Sequence, residues 1–282
     1  MEATMIEQLI LTVFNQTPIN IEKLEKGLTN QNFLVTLSNE KVVCRIPYPN
    51  SDYIVNYQHE ALALQAVKSL NIDVPTLYFD EKTGIKITRY VEHCISFSES
   101  TDPNKYAKVG RLMATLHQQS KPIGKIFDPI ATYYKYKANT TSIMISETEA
   151  FELLEFIQST IQPTTLCHND WVPDNILFTD QKDYLIDYEY AGDNDPIFDV
   201  TSFLSENHIV DPNARNQFLQ AYFQKELSHD QQQVILKWEA FHHLLWNTWA
   251  IMMYQQRTKA IFQQIALDKF HAFKETMGLI DR

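Results

Sequence analysis

The chain is expected to fold as a two-lobed α+β protein, with an N-terminal antiparallel β-sheet lobe carrying one main helix and a larger, mainly helical C-terminal lobe. Two features of the 282-residue sequence predict this. Strand-period patterns crowd its first part and helix-period patterns its last, which suits segregated α+β layers better than alternating βαβ units. Between them, residues 166–200 (LCHNDWVPDNILFTDQKDYLIDYEYAGDNDPIFDV) combine short apolar runs with closely spaced acids and amides.

In the first part, Glu25 to Thr36 reads as a turn leading into a strand in which Phe33, Val35 and Leu37 alternate with polar residues. Lys41 to Pro47 is the next strand. Tyr57 to Leu70 is helical, with Ala61, Leu64, Ala66 and Val67 marking a buried face. Thr76 to Phe79, the turn Asp80 to Gly84 and the strand Ile85 to Tyr90 form a second hairpin that completes the sheet. The segment Thr88 to His93 then leads out of it, so the expected division is residues 1–92 for the first lobe and 93–282 for the second.

Helical spacing dominates the rest. Lys105 to Gln118 carries Tyr106, Val109, Leu112, Met113 and Leu116 on one face, and Thr148 to Ile161 follows the same pattern. Asn213 to Glu226, Asp230 to Gln256 and Lys259 to Met277 are further expected helices, while Ser96 to Asn104 and Ser120 to Ser146 read as loops.

The central stretch carries the chemistry. His168-x-Asp170-x-x-x-x-Asn175 supplies a carboxylate and an amide, and Asp187 supplies a second acid. Phosphoryl transfer through a loose transition state asks a protein mainly to position a hydroxyl and neutralise charge with a metal. It therefore needs hard oxygen ligands and one carboxylate beside the hydroxyl. Asn175 to Phe178 and Tyr184 to Asp187 read as the arms of a hairpin. Symmetry about Gln181 would set Asn175 opposite Asp187. Each residue alone is an ordinary loop or capping type. Together they point to Asp170 as catalytic base, to Asn175 and Asp187 as Mg2+ ligands, and to a magnesium nucleotide as phosphoryl donor.

HNDWVPDNILF followed by LIDYEYAGDNDPIFDV resembles the choline/ethanolamine kinases, within the aminoglycoside-phosphotransferase-like branch of the protein-kinase-like fold. The likeness to bacterial choline kinases is marked in YAGDNDPIFDV. It implies a nucleotide between the lobes and the roles just given to Asp170, Asn175 and Asp187. Gly27-Leu-Thr-Asn30 lacks the pattern of a glycine-rich phosphate loop, and by itself reads as a surface hairpin. The resemblance makes it a phosphate cover, with Thr29, Asn30 and Asn32 as nucleotide contacts. Arg45 stands where protein kinases carry a phosphate-binding lysine, and its implied partner is Glu60.

Trp246 and Trp249 are three residues apart and share a helix face. Their spacing alone favours a core stripe that includes His242 and Met253. The resemblance makes them an aromatic wall for a quaternary ammonium, an interaction worth roughly 0.5–2 kcal/mol per ring. It also implies Glu206 as a pocket acid and Glu189 as a second substrate contact, with Asp199 bracing the catalytic loop. Two positions depart from the pattern: Val172 replaces a polar residue near the base, and Asp211 lies where relatives offer an aromatic.

A formal charge of −11 argues against binding the nucleic-acid phosphate backbone and suits a cationic partner. Cys44, Cys94 and Cys167 lack metal-ligand spacing and do not form a disulfide framework. No signal peptide or membrane-spanning run is read, so a cytoplasmic enzyme is expected. The resulting expectation is ATP- and Mg2+-dependent phosphorylation of choline. The alternatives are ethanolamine, thiamine or an aminoglycoside or amino sugar as acceptor, and, in another class, an inactive nucleotide- or amine-binding module.

Overall fold

The computed structural model describes residues 2–24, 30–49 and 51–280. In chain order the first elements are α1 (Glu2–Phe14), β1 (Asn20–Leu24), β2 (Asn30–Thr36), β3 (Lys41–Pro47), α2 (Tyr57–Val67), β4 (Thr76–Phe79), β5 (Lys86–Arg89) and β6 (Ile95–Ser96). Helices α3 (Lys105–Gln119), α4 (Pro129–Ala138) and α5 (Glu147–Thr160) follow, then strands β7 (Thr165–Cys167), β8 (Ile176–Phe178), β9 (Asp183–Leu185) and β10 (Gly192–Asn194). The chain ends in α6 (Pro196–Glu206), α7 (Pro212–Phe223), α8 (His229–Arg257) and α9 (Ala260–Met277). These elements form two units, one of residues 1–100 with 174–191 and one of residues 101–173 with 192–282.

The first unit is built on an antiparallel sheet of order β1-β2-β3-β5-β4. Alternation along β2 and β3 buries Phe33, Val35, Val42, Cys44 and Ile46, and Ile87 of β5 joins them. Helix α1 closes this core with Ile6 and Ile10, one turn apart. Its apolar spacing was legible, although the sequence reading assigned it no element. The Cys44 thiol is pushed up to about 12 by burial, which makes it an inert core side chain. Helix α2 starts at Asn56, whose side chain accepts from the amides of Gln58 and His59.

A smaller sheet of order β6-β8-β9 holds the hairpin that begins after Asn175. The register expected for it is corrected by one residue. Ile176 pairs with Leu185 and Phe178 with Asp183. The Ile186 amide donates to the Asn175 carbonyl at 2.9 Å, so Asn175 lies opposite Ile186 and Asp187 one residue beyond. The cause is the turn. The Thr179 hydroxyl oxygen accepts from the Gln181 and Lys182 amides, closing a tighter loop whose centre is displaced from Gln181.

The second unit is organised by α8, which is buried without a break from Trp238 to Met253 and packs with α6 and α9. Three of its helices start the same way. Asp128-Pro129, Asp195-Pro196 and Asp211-Pro212 each place a carboxylate on a first-turn amide and a proline where no amide donor is needed. Asp211, read from the sequence as a departure, is thus the N-cap of α7. The expected loop Ser120 to Ser146 contains α4 instead, anchored by buried Tyr133 and Tyr136. Among the described residues, no helix is long and apolar enough to cross a membrane.

Helices α3 and α7 pack closely at Gly110. A Cβ there would stand 2.6 Å from the Phe218 carbonyl oxygen and 2.9 Å from the Ala221 Cβ. Gly110→Ala should therefore destabilise the protein by about 1–3 kcal/mol despite alanine's higher helix propensity. Urea unfolding measures this, and an unchanged or raised midpoint would contradict the packing described.

Candidate active site

In the first unit, a group of charged side chains gathers around Arg45. Alternation along β3 turns Arg45 to the face opposite Cys44 and Ile46. Its Nη2 donates to Glu60 Oε2 at 2.6 Å and to the Gly84 carbonyl at 3.1 Å, and its Nη1 donates to Asp187 Oδ1 at 2.6 Å. The expected pairing of Arg45 with Glu60 is present. Burial alone would lower the Arg45 pKa, but Glu60, Asp187 and Glu189 outweigh that and hold it above its ordinary value.

Glu189 accepts from Asn30 Nδ2 at 2.7 Å and lies 3.9 Å from Arg45 Nη1. It thus joins the residues read as nucleotide contacts, in a different unit from Glu206, Trp246 and Trp249. Asn32 is the cross-strand partner of Arg45 in the β2–β3 register. Thr29 lies outside the described residues. Asp187 follows the hairpin with a left-handed backbone (φ 69°), a costly conformation for a non-glycine residue that an overdetermined setting must hold. Asn175 is buried at the start of the same hairpin. The amide oxygen of Asn175 and the carboxylate of Asp187 are hard donors of the kind Mg2+ takes, and neither residue has the soft chemistry that would favour another metal.

The second unit holds the loop that carries Asp170. Asn169, immediately before it, is also left-handed at φ 66°. Asp199 of α6 fixes this bend, its two oxygens accepting from the amides of His168 at 2.8 Å and Asn169 at 2.7 Å. Asn194 Nδ2 adds a bond to Asn169 Oδ1 at 2.9 Å. The brace continues outward. His117 Nε2 lies 3.0 Å from Asp199 Oδ2, and His117 Nδ1 lies 2.8 Å from the Tyr222 hydroxyl. Burial would raise the Asp199 pKa, yet the bond and charge of His117 hold it below the usual carboxylate value.

Trp246 and Trp249 sit edge to face on α8 with centroids 5.8 Å apart, each 7% exposed, and Trp249 packs edge-on against Phe262 of α9. Trp246 Nε1 donates to His242 Nδ1 at 3.1 Å, while His242 Nε2 lies 2.8 Å from the Phe198 carbonyl, which can only accept. His242 is therefore neutral with its proton on Nε2, and it links Trp246 to the helix that carries Asp199. Glu206 is held by Lys269 of α9 at 2.6 Å, so its charge is already balanced within the chain.

Sequence reasoning missed Lys86, which donates to Glu60 Oε1 at 2.8 Å, and the His117–Tyr222 extension of the Asp199 brace. A lysine after the Asp80 to Gly84 turn carries no local signal of burial; only the strand register sets it beside Arg45. For His117, the helical period marked the apolar face of α3 but gave no reason to select a polar residue on it.

A two-unit α+β fold with these two constellations defines a kinase-like phosphotransferase architecture. The chain belongs to the phosphotransferase enzyme family, whose pattern matches residues 20–233. It is similar to Protein LicA of Haemophilus influenzae, 32% identical over 198 residues that cover 65% of this chain and 57% of LicA. It also resembles a probable ethanolamine kinase of Arabidopsis thaliana, at 23% identity over 83% of this chain and 72% of the relative. The fold matches the crystal structure of choline kinase LicA from Streptococcus pneumoniae with a TM-score of 0.84 and 24% identity, over 98% of this chain and 99% of that one.

The neutral, fully buried His242 has a measurable consequence. Burial pushes its pKa from 6.5 down to about 3. Its folded-state value lies below the unfolded one, so the native state is favoured above pH 6.5 and loses that advantage as pH falls toward 3, where the unfolded chain binds a proton the buried ring refuses. His242→Gln keeps a donor and an acceptor without titrating. Its melting temperature should fall less than that of the wild type between pH 7 and pH 4, and parallel pH profiles would contradict the neutral assignment.

Proposed function

We propose that this protein transfers the γ-phosphoryl group of ATP to the hydroxyl of choline, giving phosphocholine and ADP. The observation that carries the phosphoryl-transfer part of this reading is the Arg45 fork, which reaches both Glu60 and Asp187 at 2.6 Å. A guanidinium braced by one buried acid and aimed at a second, exchangeable partner is suited to triphosphate oxygens. Residues 1–92 are read as the nucleotide-binding lobe, to which the 174–191 hairpin is added, and the remainder of 93–282 as the lobe for catalysis and acceptor binding. Thr29, Asn30 and Asn32 are read as the phosphate cover.

Asn175 and Asp187 are the residues that would hold Mg2+, which when bound neutralises charge on the β- and γ-phosphate oxygens. Asp170 orients the acceptor hydroxyl and accepts its proton as the oxygen bonds to phosphorus and the bond to the ADP oxygen breaks. The left-handed Asn169, held by Asp199, fixes where that carboxylate starts from. Trp246 and Trp249 present aromatic surface to the acceptor's cationic head, with Glu206 as the acid assigned to it, while Glu189, bonded to Asn30, is grouped with the phosphate cover.

Ethanolamine is the second acceptor reading. The similarity to ethanolamine kinases supports it.

Coupled measurement of ADP release over choline, ethanolamine, thiamine and aminoglycosides tests the proposal. Choline-dependent release is expected, together with at least a thousandfold loss of kcat in Asp170→Asn without loss of fold. Joint replacement of Trp246 and Trp249 by Leu should raise the acceptor KM while leaving the KM for ATP within about twofold. Tight ligand binding without turnover would instead identify an inactive binding module, and release with another acceptor alone would reassign the substrate.

A further inference from the structure

The charged group of the first unit contains a second cation. Lys86 opens β5 as the direct cross-strand partner of Arg45, and its side chain is 6% exposed. Adjacent buried cations repel each other, and like charges directly opposite on neighbouring strands are unfavourable. Glu60 makes this arrangement possible. It is fully buried and divides its carboxylate between them, Oε2 to Arg45 at 2.6 Å and Oε1 to Lys86 at 2.8 Å.

That division decides what Arg45 does. An arginine beside a buried carboxylate tends to close both arms of its fork onto it. Here the second oxygen of Glu60 is taken, and the second arm of Arg45 goes to Asp187 Oδ1. The remaining bond from Nη2, to the Gly84 carbonyl, is fixed by a turn with little freedom. Gly84 has φ +72°, and a Cβ there would stand 2.3 Å from the Tyr57 ring. Arg45 is thereby held in a split posture, one arm bound inward by Glu60 and Gly84 and the other presented to Asp187. Asp73, pushed up to about 7 mainly by burial and partly restrained by the charge of Lys86, adds a neighbouring carboxyl that responds to this lysine.

We infer that Lys86 is a positioning residue for the nucleotide: by occupying one oxygen of Glu60 it prevents a closed, two-armed Arg45–Glu60 pair and keeps the outer arm of Arg45 directed at Asp187 and the phosphates. The inference rests on the proposed roles of Arg45 and Asp187. Without Lys86, Glu60 Oε1 is left buried without this partner, and turning Arg45 fully onto Glu60 is the cheapest repair.

The test measures binding of Mg2+ with a non-hydrolysable ATP analogue by calorimetry, beside melting temperature and turnover. Lys86→Met should weaken analogue binding about 10- to 100-fold, the range for one charge-assisted hydrogen bond. Lys86→Arg, which keeps the charge and a donor for Glu60, should bind within about threefold of wild type. Should Lys86→Met fail to fold, Lys86→Gln replaces it, with an affinity loss again expected to exceed that of Lys86→Arg. Unchanged affinity in a folded Met or Gln variant overturns the inference, as does an equal loss in the Arg variant. Affinity loss as expected in a protein that turns over no acceptor would leave the inference standing while the proposed activity fails.

Discussion

A buried guanidinium is tolerated only when its charge is balanced, and Arg45 imposes that constraint on the first unit. Glu60 comes from α2, Gly84 from the turn between β4 and β5, and Asp187 from the segment following β9, so one side chain ties together three parts of the chain that are far apart in sequence. The sheet core of Phe33, Val35, Val42 and Ile87 fixes β3 from its other face. Displacing any of these elements would strand a charge away from water, at a cost of about 3–5 kcal/mol for a broken buried pair. In the proposed role, groups held in place before a triphosphate arrives need little reorganisation to meet it.

The second unit meets an equivalent demand with a carboxylate. Asp199 is fully buried and accepts two amides from the loop that precedes Asp170, so the backbone leading to the proposed base is fixed by hydrogen bonds. His117 supplies the donor that keeps this acid ionised, and Tyr222 orients the imidazole from α7. His242 connects the carbonyl of Phe198, one residue before Asp199, to the Trp246 indole. One helix therefore carries both the brace of the loop before Asp170 and a link to Trp246, which couples the proposed acceptor wall to the proposed base through a short rigid element.

Much of this was legible because the chemistry constrains residue types at short range. The acid, amide and second acid of Asp170, Asn175 and Asp187 fall within one stretch, and the period of Phe33, Val35 and Leu37 announced the sheet. What stayed hidden depended on geometry between distant segments. The burial of Lys86 follows from the β3–β5 register, and Glu206 gave no sign of its pairing with Lys269, which comes from a later helix. The hairpin register slipped because a side-chain bond from Thr179 set the turn, where a symmetric count assumed the backbone alone would. Helix α4 escaped because its tyrosines and lysines give little apolar contrast, although Tyr133 and Tyr136 prove to be core residues.

The central proposal is that Asn175 and Asp187 together would hold the Mg2+ of a bound nucleotide. Electron paramagnetic resonance of Mn2+, substituted for Mg2+ in the presence of a non-hydrolysable ATP analogue, addresses it directly. The wild-type protein should give a line shape distinct from that of the free Mn2+–nucleotide complex, and Asn175→Ala or Asp187→Asn should return it toward the free form. Identical spectra for wild type and both variants would show that the metal is held elsewhere.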